Sequence, residues 1–211
     1  MDLAHLRLSY TKAGLLETDA HSDPFEQFRQ WFGQASQAGL IEPNAMTLAT
    51  ADEEGNPNAR TVLLKAFAPD GFVFYSNAES RKGRELSENA RAALLFYWGE
   101  LERQVRVSGP VQLVSEAEAD AYFASRPKGH QLGAWVSDQS APIKGREVLE
   151  RKLVEVADQF ESGPIPRPPY WVGYRVVAHA IEFWQGRPNR LHDRLEYIHT
   201  EEGWARRRLS P

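Results

Sequence analysis

Short runs of largely apolar residues, separated by polar turn segments, predict β-strands over much of the chain. Three strands are predicted early, over residues 46–51, 60–67 and 72–76. Residues 52–57 and an Ala-Pro-Asp-Gly turn at 68–71 separate them, so this region is expected to form a meander of hairpins. Five further strands are predicted over residues 91–98, 101–113, 174–184, 194–199 and 204–209.

Capping residues and helical spacing predict the helices. Asp23 is suited to be an N-cap and Pro24 to be the first helical residue, and this helix should run to about residue 39. Ser115 and Glu118 form a capping box for a helix that ends at residue 127. The remaining predicted segments are a short helix over residues 80–89, a longer one over 143–160 with Leu149, Leu153, Val156 and Phe160 at helical spacing, and a proline-rich connector over 164–169.

Several antiparallel strands with a few peripheral helices indicate a mainly β fold, either an all-β barrel core or an α+β arrangement. The βαβ rhythm and the Gly-x-Gly-x-x-Gly motif of a Rossmann domain are missing from the sequence. Residues 1–20 are polar, and we expect them to form a flexible segment. Residues 21–211 are then expected to form a single domain.

The composition is typical of one globular domain, with 211 residues that are 42% hydrophobic and 26% charged. No stretch approaches the roughly 20 consecutive apolar residues of a membrane helix, and the N-terminus lacks the apolar core of a secretory signal. The sequence contains no cysteine, which excludes disulfides, thiolate catalysis and cysteine-ligated metals and fits a reducing compartment. We therefore expect a cytoplasmic protein without a membrane partner.

The formal net charge of −4 argues against nucleic acid as the main partner, because such proteins usually carry a basic excess. Basic residues nevertheless cluster locally, which suits small anions better than long ones. For any single arginine, solvated surface charge is the alternative. The clusters are Arg81, Lys82 and Arg84; Arg103 and Arg106; Arg187, Arg190 and Arg194; and residues 206–208.

Two short patterns are candidate anion sites. Ser80, Arg81 and Lys82 combine a hydroxyl N-cap with two cations at a helix N-terminus, where free N–H groups attract anions. On local sequence alone we favour a capped surface helix over a phosphate site at this position. Tyr122 and Arg126 lie four residues apart and share a helix face, so they form either a second phosphate site or an exposed arginine over a half-buried ring.

Residues 101–108 alternate and place Glu102, Gln104, Arg106 and Ser108 on one strand face. A face this polar either meets water or lines a polar pocket. Gln104 is the candidate of interest, because an amide can both donate to and accept from the edge of a heterocycle.

Residues 184–194, Trp-Gln-Gly-Arg-Pro-Asn-Arg-Leu-His-Asp-Arg, are the strongest local feature. If the chain is extended from residue 190 onward, Arg190, His192 and Arg194 point the same way. These groups repel one another unless an anion or an electron-rich ring lies between them, and a flat π-system could stack on Arg or Trp. We favour such a ligand over a solvated loop.

Two other chemistries are set aside. A serine hydrolase of the Ser–His–Asp type needs a placed nucleophile, and no Gly-x-Ser-x-Gly motif is present. The six histidines are scattered, and His192 with Asp193 offers too few ligands for a metal site. His179 lies in a predicted strand and is interpreted as a core or pocket-edge residue.

Taken together, these segments resemble the pyridoxine (pyridoxamine) 5′-phosphate oxidase family over nearly the whole chain. Each motif is weak alone, but their order and spacing together are specific. The motifs are LRLSYTK (6–12), RTVLLK (60–65), FYSN (74–77), SRK (80–82), ERQVRV (102–107), YFASRP (122–127), QLGAWVSDQS (131–140), WQGRPNRLHDR (184–194) and the closing RLSP (208–211).

The resemblance implies an antiparallel split β-barrel that works as a homodimer, with FMN bound at the subunit interface. It implies FMN contacts at Arg60, Thr61, Val62, Leu63, Leu64, Lys65, Tyr75, Ser76, Arg81, Lys82, Gln104, Gln139, Ser140, Trp184 and Arg194. It implies substrate contacts at Arg7, Tyr10, Lys65, Tyr122, Arg126, His130, Arg190, Leu191 and His192, with Arg190 and His192 facing the reacting carbon.

Two points depart from a simple transfer of these sites. The family usually has a serine as a substrate-phosphate ligand where this chain has His130, which is larger and gains charge when protonated. Arg60 and Lys65 would point to opposite faces of a regular strand, so both reach ligand only through two pockets or a bulge.

The reaction that the resemblance implies is oxidation of pyridoxamine or pyridoxine 5′-phosphate to pyridoxal 5′-phosphate, with O2 reduced to hydrogen peroxide. Two alternatives share such a barrel, because related folds host many functions. One is a flavin reductase that uses a nicotinamide cofactor, and the other is a non-catalytic module that binds FMN or pyridoxal phosphate. The pairs Tyr122–Arg126 and Arg190–His192 favour the oxidase, since a reductase needs no site for pyridoxal phosphate.

Overall fold

A computed structural model describes residue 3 and residues 9–211 of the protein. Within this part of the chain, ten strands and five α-helices follow one another with short connections. The strands are β1 (Ala45–Ala51), β2 (Pro57–Leu63), β3 (Ala66–Ala68), β4 (Gly71–Asn77), β5 (Arg91–Trp98), β6 (Arg103–Leu113), β7 (Trp171–Val176), β8 (Ala180–Gln185), β9 (Asp193–Thr200) and β10 (Gly203–Arg208). The helices are α1 (Pro24–Gln37), α2 (Arg81–Glu88), α3 (Glu116–Ser125), α4 (Lys128–Val136) and α5 (Arg146–Gln159).

Every pairing in the sheet is antiparallel, and the main path runs β10-β9-β8-β6-β5-β1-β2. Strand β6 curls the sheet, because it pairs with β8 along Arg103–Ser108 and with β7 along Val111–Leu113. Gly109 lies at the change of partner, where a Cβ atom would stand 1.9 Å from the carbonyl oxygen of Val177. The predicted mainly β fold with peripheral helices is therefore confirmed.

Helix α1 closes the open end of the curled sheet. Asp23 caps it by accepting a hydrogen bond from the backbone N–H of Phe25 at 2.7 Å, as the sequence predicts. Phe28 is fully buried and packs edge-on against Phe67, Phe72 and Phe96. A second, smaller core lies between α3, α4, α5 and β7 and comprises Phe123, Leu132, Val136, Val156, Ile165 and Trp171.

Several predicted boundaries are wrong. The strand expected over residues 60–67 breaks after Leu63, and the strand expected over 174–184 breaks into β7 and β8 around His179. Backbone N–H groups of Val177 and His179 still donate to β6, which bridges the second break. Helix α4 was not predicted, because its sequence follows Pro127 directly and carries two glycines.

The structure adds detail to the expected flexible segment over residues 1–20. Leu15 is buried in the main core, and its backbone N–H donates to Asp193 Oδ2 at 3.0 Å. The boundary at residue 20 and the flexibility itself stay predictions. None of the described helices is long and apolar enough to cross a bilayer.

Candidate active site

A cavity of about 730 Å³, here called cavity A, opens between β2, β4 and the helices α2, α3 and α4. Four basic side chains reach it from different parts of the chain, and two stacked tyrosines form one wall. Its lining residues are Arg60, Thr61, Val62, Leu63, Lys65, Tyr75, Ser76, Lys82, Tyr122, Ser125, Arg126, Pro127, His130 and Gln139.

An interruption in the chain lets Arg60 and Lys65 reach the same cavity. Strand β2 ends at Leu63, and Asn44 ties down the irregular link by donating to the carbonyl of Leu64 at 3.1 Å. The backbone N–H of Lys65 then donates to the carbonyl of Val73 at 2.8 Å. Arg60 and Lys65, which would point to opposite faces of a regular strand, therefore line the same cavity. Leu64, between them, is buried in the core.

Glu85 organises the basic residues at one end of cavity A. Its side chain is 6% exposed and accepts hydrogen bonds from Arg60 Nη2 and Arg81 Nε, each at 3.0 Å. Thr50 and Asn58 donate to the same carboxylate. Burial by itself raises the pKa of Glu85, but these four hydrogen bonds together lower it to about 2. The carboxylate therefore stays ionised and holds Arg60 in a defined orientation.

Lys82 is a buried cation at the N-terminus of α2. Its Nζ donates to Ser80 Oγ at 3.0 Å and to the side-chain oxygen of Gln139. Burial, with the nearby charge of Arg60, lowers the pKa of Lys82 to about 8. An ammonium group that loses solvation here is stabilised by any anion that enters cavity A.

The neighbouring residues of the predicted phosphate motif do not all face cavity A. Arg81 turns its guanidinium to Glu85 and away from the cavity. Ser140 accepts a hydrogen bond from the Arg81 backbone N–H at 3.2 Å, so the turn at 139–140 closes over the start of α2. Ser76 and Gln139 line the cavity and are joined by a hydrogen bond of 3.3 Å.

Tyr122 and Arg126 converge on the other end of cavity A. Helix α3 ends at Ser125, so Arg126 is the C-cap with extended backbone, and the two residues do not share a helix face as predicted. Tyr122 stacks on Tyr75 with ring centroids 4.1 Å apart, and the Arg126 guanidinium lies 4.8 Å from the Trp171 ring centroid.

The Nη1 atom of Arg126 is buried and has no hydrogen-bond partner among the described residues. Burial also lowers the pKa of this guanidinium. A buried donor without a partner carries a desolvation penalty of about 1–3 kcal/mol, which an anion in the cavity would offset. His130 is the third residue of α4; its side chain is exposed and lines the same cavity.

A second cavity of about 320 Å³, here called cavity B, lies on the outer face of the sheet. Gln104, Trp184 and Arg194 are register neighbours on β6, β8 and β9, and all three line it. Arg194 donates to Glu182 Oε1 at 2.7 Å and to the carbonyl of Ser210 at 2.8 Å. The hydrogen bond to Glu182 raises the pKa of Arg194.

The polar face predicted for residues 101–108 holds only in part. Gln104, Arg106 and Ser108 do share the open face of β6. Glu102 precedes the strand with φ 55°, is buried, and accepts a hydrogen bond from the backbone N–H of Lys12 at 3.0 Å.

The loop before β9 is not extended from residue 190, so the condition under which Arg190, His192 and Arg194 point the same way is not met. Residues 188–190 form a 3₁₀ turn in which Asn189 and Arg190 have φ values of 56° and 61°. Arg190 and Leu191 are exposed. His192 turns back, with its ring 4.6 Å from that of Trp184.

Tyr10 completes this region of the surface. Its ring lies edge-on to Trp184 and His192, at centroid distances of 5.8 and 5.7 Å. Gly186 permits this approach, since a Cβ atom there would lie 2.7 Å from Tyr10 Cγ. His192 Nδ1 accepts a hydrogen bond from the Arg187 backbone N–H at 3.1 Å, and burial together with the charge of Arg190 lowers its pKa. Arg7 lies outside the described residues.

The two cavities are separate within one chain. Strand β2 lies four steps from β8 in the sheet order, and the two cavities share no lining residue. No group of three or more metal-ligating side chains occurs in the part of the chain that the structure describes. Sequence reasoning missed Glu85 and Trp171. The spacing of Glu85 from Arg81 was a usable signal, but nothing local marks Trp171.

Family models match most of the chain. One described as pyridoxamine 5′-phosphate oxidase matches residues 32–160, and one described as the pyridoxine 5′-phosphate oxidase C-terminal dimerisation region matches residues 171–211. A pyridoxine/pyridoxamine 5′-phosphate oxidase of Rubrobacter xylanophilus is 61% identical and covers 100% of this chain and 97% of its own. One from Gloeothece citriformis is 56% identical, over 99% of this chain and 98% of its own.

Solved structures agree with this similarity. PhzG from Burkholderia lata 383, in complex with tetrahydrophenazine-1-carboxylic acid, has a TM-score of 0.88 at 32% identity and covers 95% of this chain and 100% of its own. A pyridoxamine 5′-phosphate oxidase-related, FMN-binding protein from Nostoc punctiforme has a TM-score of 0.71 at 17% identity, over 90% of this chain and 100% of its own. The second match indicates a shared fold.

Proposed function

This chain belongs to the pyridoxamine 5′-phosphate oxidase family, and from that premise we propose that it is an FMN-dependent oxidase. Its substrates are pyridoxamine 5′-phosphate and pyridoxine 5′-phosphate, its product is pyridoxal 5′-phosphate, and O2 is reduced to hydrogen peroxide. The observation that carries the proposal is a single cavity with two groups of phosphate-binding side chains, one around Lys82 and one around Arg126.

The residues around Lys82 fit the phosphate of FMN. Arg60 is held by Glu85, and the buried Lys82 ammonium lies at the helix N-terminus beside Ser80. The chemistry that FMN supplies when bound is acceptance of a hydride from the C4′ carbon of the substrate and transfer of electrons to O2. Of the predicted cofactor residues, Arg60–Leu63, Lys65, Tyr75, Ser76, Lys82 and Gln139 line cavity A, whereas Gln104, Trp184 and Arg194 line cavity B.

The residues around Arg126 fit the phosphate of the substrate. The unpartnered Nη1 of Arg126 offers a charged donor, Lys65 adds a second cation, and Tyr122 adds a hydroxyl. His130 stands where it can donate to the same anion. Two phosphates in one cavity place the flavin and the substrate ring near one another, which is what hydride transfer between them requires.

The C-terminal match to a dimerisation region supports a homodimer. We propose further that FMN lies at the dimer interface, with cavity A of one protomer facing cavity B of its partner. The separation of β2 and β8 by three intervening strands within one chain supports this arrangement. The outer sheet face between them is exposed and carries Tyr97, which is 61% exposed.

In this arrangement the partner supplies Arg190 and His192 to the substrate ring, and Gln104, Trp184 and Arg194 to the flavin. Arg194 and the side-chain amides of Gln104 and Gln139 would then stabilise negative charge that develops on the reduced flavin. Cavity B is polar enough for this role, because Glu182 keeps both Arg106 and Arg194 at its edge. A cytoplasmic location stays a prediction from the sequence.

The test is an absorbance spectrum of the purified protein, followed by a peroxide assay after addition of pyridoxamine 5′-phosphate. We expect a flavin spectrum and stoichiometric peroxide with pyridoxal 5′-phosphate. Flavin reduction by a nicotinamide cofactor without peroxide from pyridoxamine 5′-phosphate would identify a reductase. Bound flavin without either reaction would identify a binding module, and the absence of flavin would overturn the proposal.

A further inference from the structure

The carboxylate of Asp193 joins three segments that are far apart in sequence. Its Oδ2 accepts a hydrogen bond from the backbone N–H of Leu15 at 3.0 Å, and its Oδ1 accepts one from Arg208 Nη1 at 2.8 Å. Arg187 Nε lies 3.5 Å from Oδ2. The Asp193 side chain is 16% exposed, whereas those of Arg208 and Arg187 are 36% and 45% exposed.

Arg187 extends this set of contacts in two directions. Its Nη1 donates to the carbonyl of Ala13 at 3.2 Å, next to the Leu15 N–H that Asp193 accepts. Its own backbone N–H donates to Nδ1 of His192 at 3.1 Å. Asp193 and Arg187 therefore hold residues 13–15 from one side and the imidazole of His192 from the other.

The segment that they hold carries Tyr10. Lys12 anchors it a second time, since its backbone N–H donates to Glu102 at 3.0 Å. Tyr10 then lies edge-on to both Trp184 and His192, whose rings are themselves 4.6 Å apart. These three rings form one wall, here called the Tyr10 wall, and its position depends on the anchors at residues 12–15.

We propose that Asp193 is a positioning residue, whose carboxylate fixes residues 13–15 and the loop before β9 so that Tyr10 and His192 are held against Trp184. This inference rests on the proposed function, because the Tyr10 wall faces the site assigned to substrate. The Asp193 carboxylate bonds to Leu15 and Arg208 and lines neither cavity A nor cavity B. Its effect is therefore on the geometry of the substrate side and leaves the phosphate end of the flavin unchanged.

The experiment compares the FMN-loaded wild-type enzyme with Asp193→Asn and Arg187→Ala. Both variants are expected to lower kcat/KM for pyridoxamine 5′-phosphate at least tenfold, with the Kd for FMN within twofold of wild type. The double variant should lose little more than either single one, since both changes break the same linkage. Asp19→Asn is the matched control, because Asp19 is exposed and its carboxylate bonds only to the adjacent Thr18 among the described residues.

A second measurement separates positioning from general stability. Trypsin should cleave after Lys12 several times faster in Asp193→Asn and Arg187→Ala than in Asp19→Asn, whereas the melting temperature should move by only a few degrees. If Asp193→Asn does not fold, Arg187→Ala still tests the idea, since its side chain is 45% exposed.

The outcomes are distinguishable. A wild-type enzyme without oxidase activity would defeat the proposed function itself. An active wild type with unchanged kcat/KM in both variants would overturn the inference about Asp193. Loss of FMN in parallel with activity would also overturn it, because it would assign Asp193 to overall stability.

Discussion

The guanidinium of Arg126 lies 4.8 Å from the centroid of the Trp171 ring, and its Nη1 is buried without a hydrogen-bond partner among the described residues. The ring lies close to the guanidinium, and Arg126 lines cavity A. An arginine held in this way is prepared to bind a phosphate, because the entropy of ordering its side chain is already lost on folding.

Arg126→Ala is expected to raise the KM for pyridoxamine 5′-phosphate about 10- to 100-fold, since a charge-assisted hydrogen bond contributes about 1.5–3 kcal/mol. FMN content should stay unchanged, because Arg60 and Lys82 are assigned to that phosphate. Steady-state kinetics and the flavin absorbance of the purified variant check both points. Arg146→Ala, on the exposed side of α5, is the control. Equal loss of flavin and substrate binding would contradict the assignment.

Lys82 should make FMN binding depend on pH. The burial that lowers its pKa to about 8 means that its charge is lost as the pH rises through that value in the FMN-free protein. The Kd for FMN, measured by flavin fluorescence quenching, should therefore increase between pH 7 and pH 9. In Lys82→Gln the Kd should be high at both pH values, with this dependence gone. An identical pH dependence in wild type and variant would exclude Lys82 as the cause.

The stability of the FMN-free protein should change with pH in the opposite sense. The unfolded chain keeps an ordinary lysine pKa of 10.5, so it binds more protons than the folded protein between about pH 8 and 10.5. The contribution of Lys82 to the free energy of unfolding therefore increases as the pH rises through this window. Urea denaturation of the FMN-free wild type and Lys82→Gln, at pH 7.5 and 9.5, isolates this contribution.

Arg190→Ala is expected to lower kcat by tenfold or more while FMN is retained. Arg190 is exposed on a 3₁₀ turn at φ 61°, and its proposed role is toward the substrate ring. Rapid-reaction measurement of flavin reduction reports this step directly. Arg151→Ala serves as the exposed control. Equal loss of turnover and of bound FMN would assign Arg190 to the flavin.

Glu85→Gln should lower the free energy of unfolding by about 2–3 kcal/mol at pH 7, because hydrogen bonds to a buried carboxylate are lost or weakened. The folded pKa of about 2 lies below the unfolded value of 4.5, so this stabilisation is present above pH 4.5 and is lost as the pH falls toward 2. The difference between wild type and variant should therefore shrink between pH 7 and pH 3. Glu88→Gln, exposed on the same helix, is the control.

Local signals predicted most of the secondary structure. The cap at Asp23, the capping residue Ser115 and the alternating burial of β1 and β5 all depend on residues close together in sequence, so they can be recognised without knowledge of the fold. Errors occurred where a contact from elsewhere interrupts the pattern. Strand β2 ends at Leu63, and the side chain of Asn44 donates a hydrogen bond to the carbonyl of the next residue, Leu64. The sequence of residues 60–67 contains no signal for this contact.

The distinction between signals local in sequence and contacts from distant residues also applies to the candidate site. The sequence by itself determined the family, the basic character of the 80–82 and 184–194 segments, and the four-residue spacing of Tyr122 and Arg126. The tertiary structure decided that Arg126 stacks on Trp171, that Glu85 holds Arg60, and that the basic residues divide between two cavities. These relationships depend on strand order and on left-handed residues such as Asn189 and Arg190, which follow from long-range packing and not from short-range spacing.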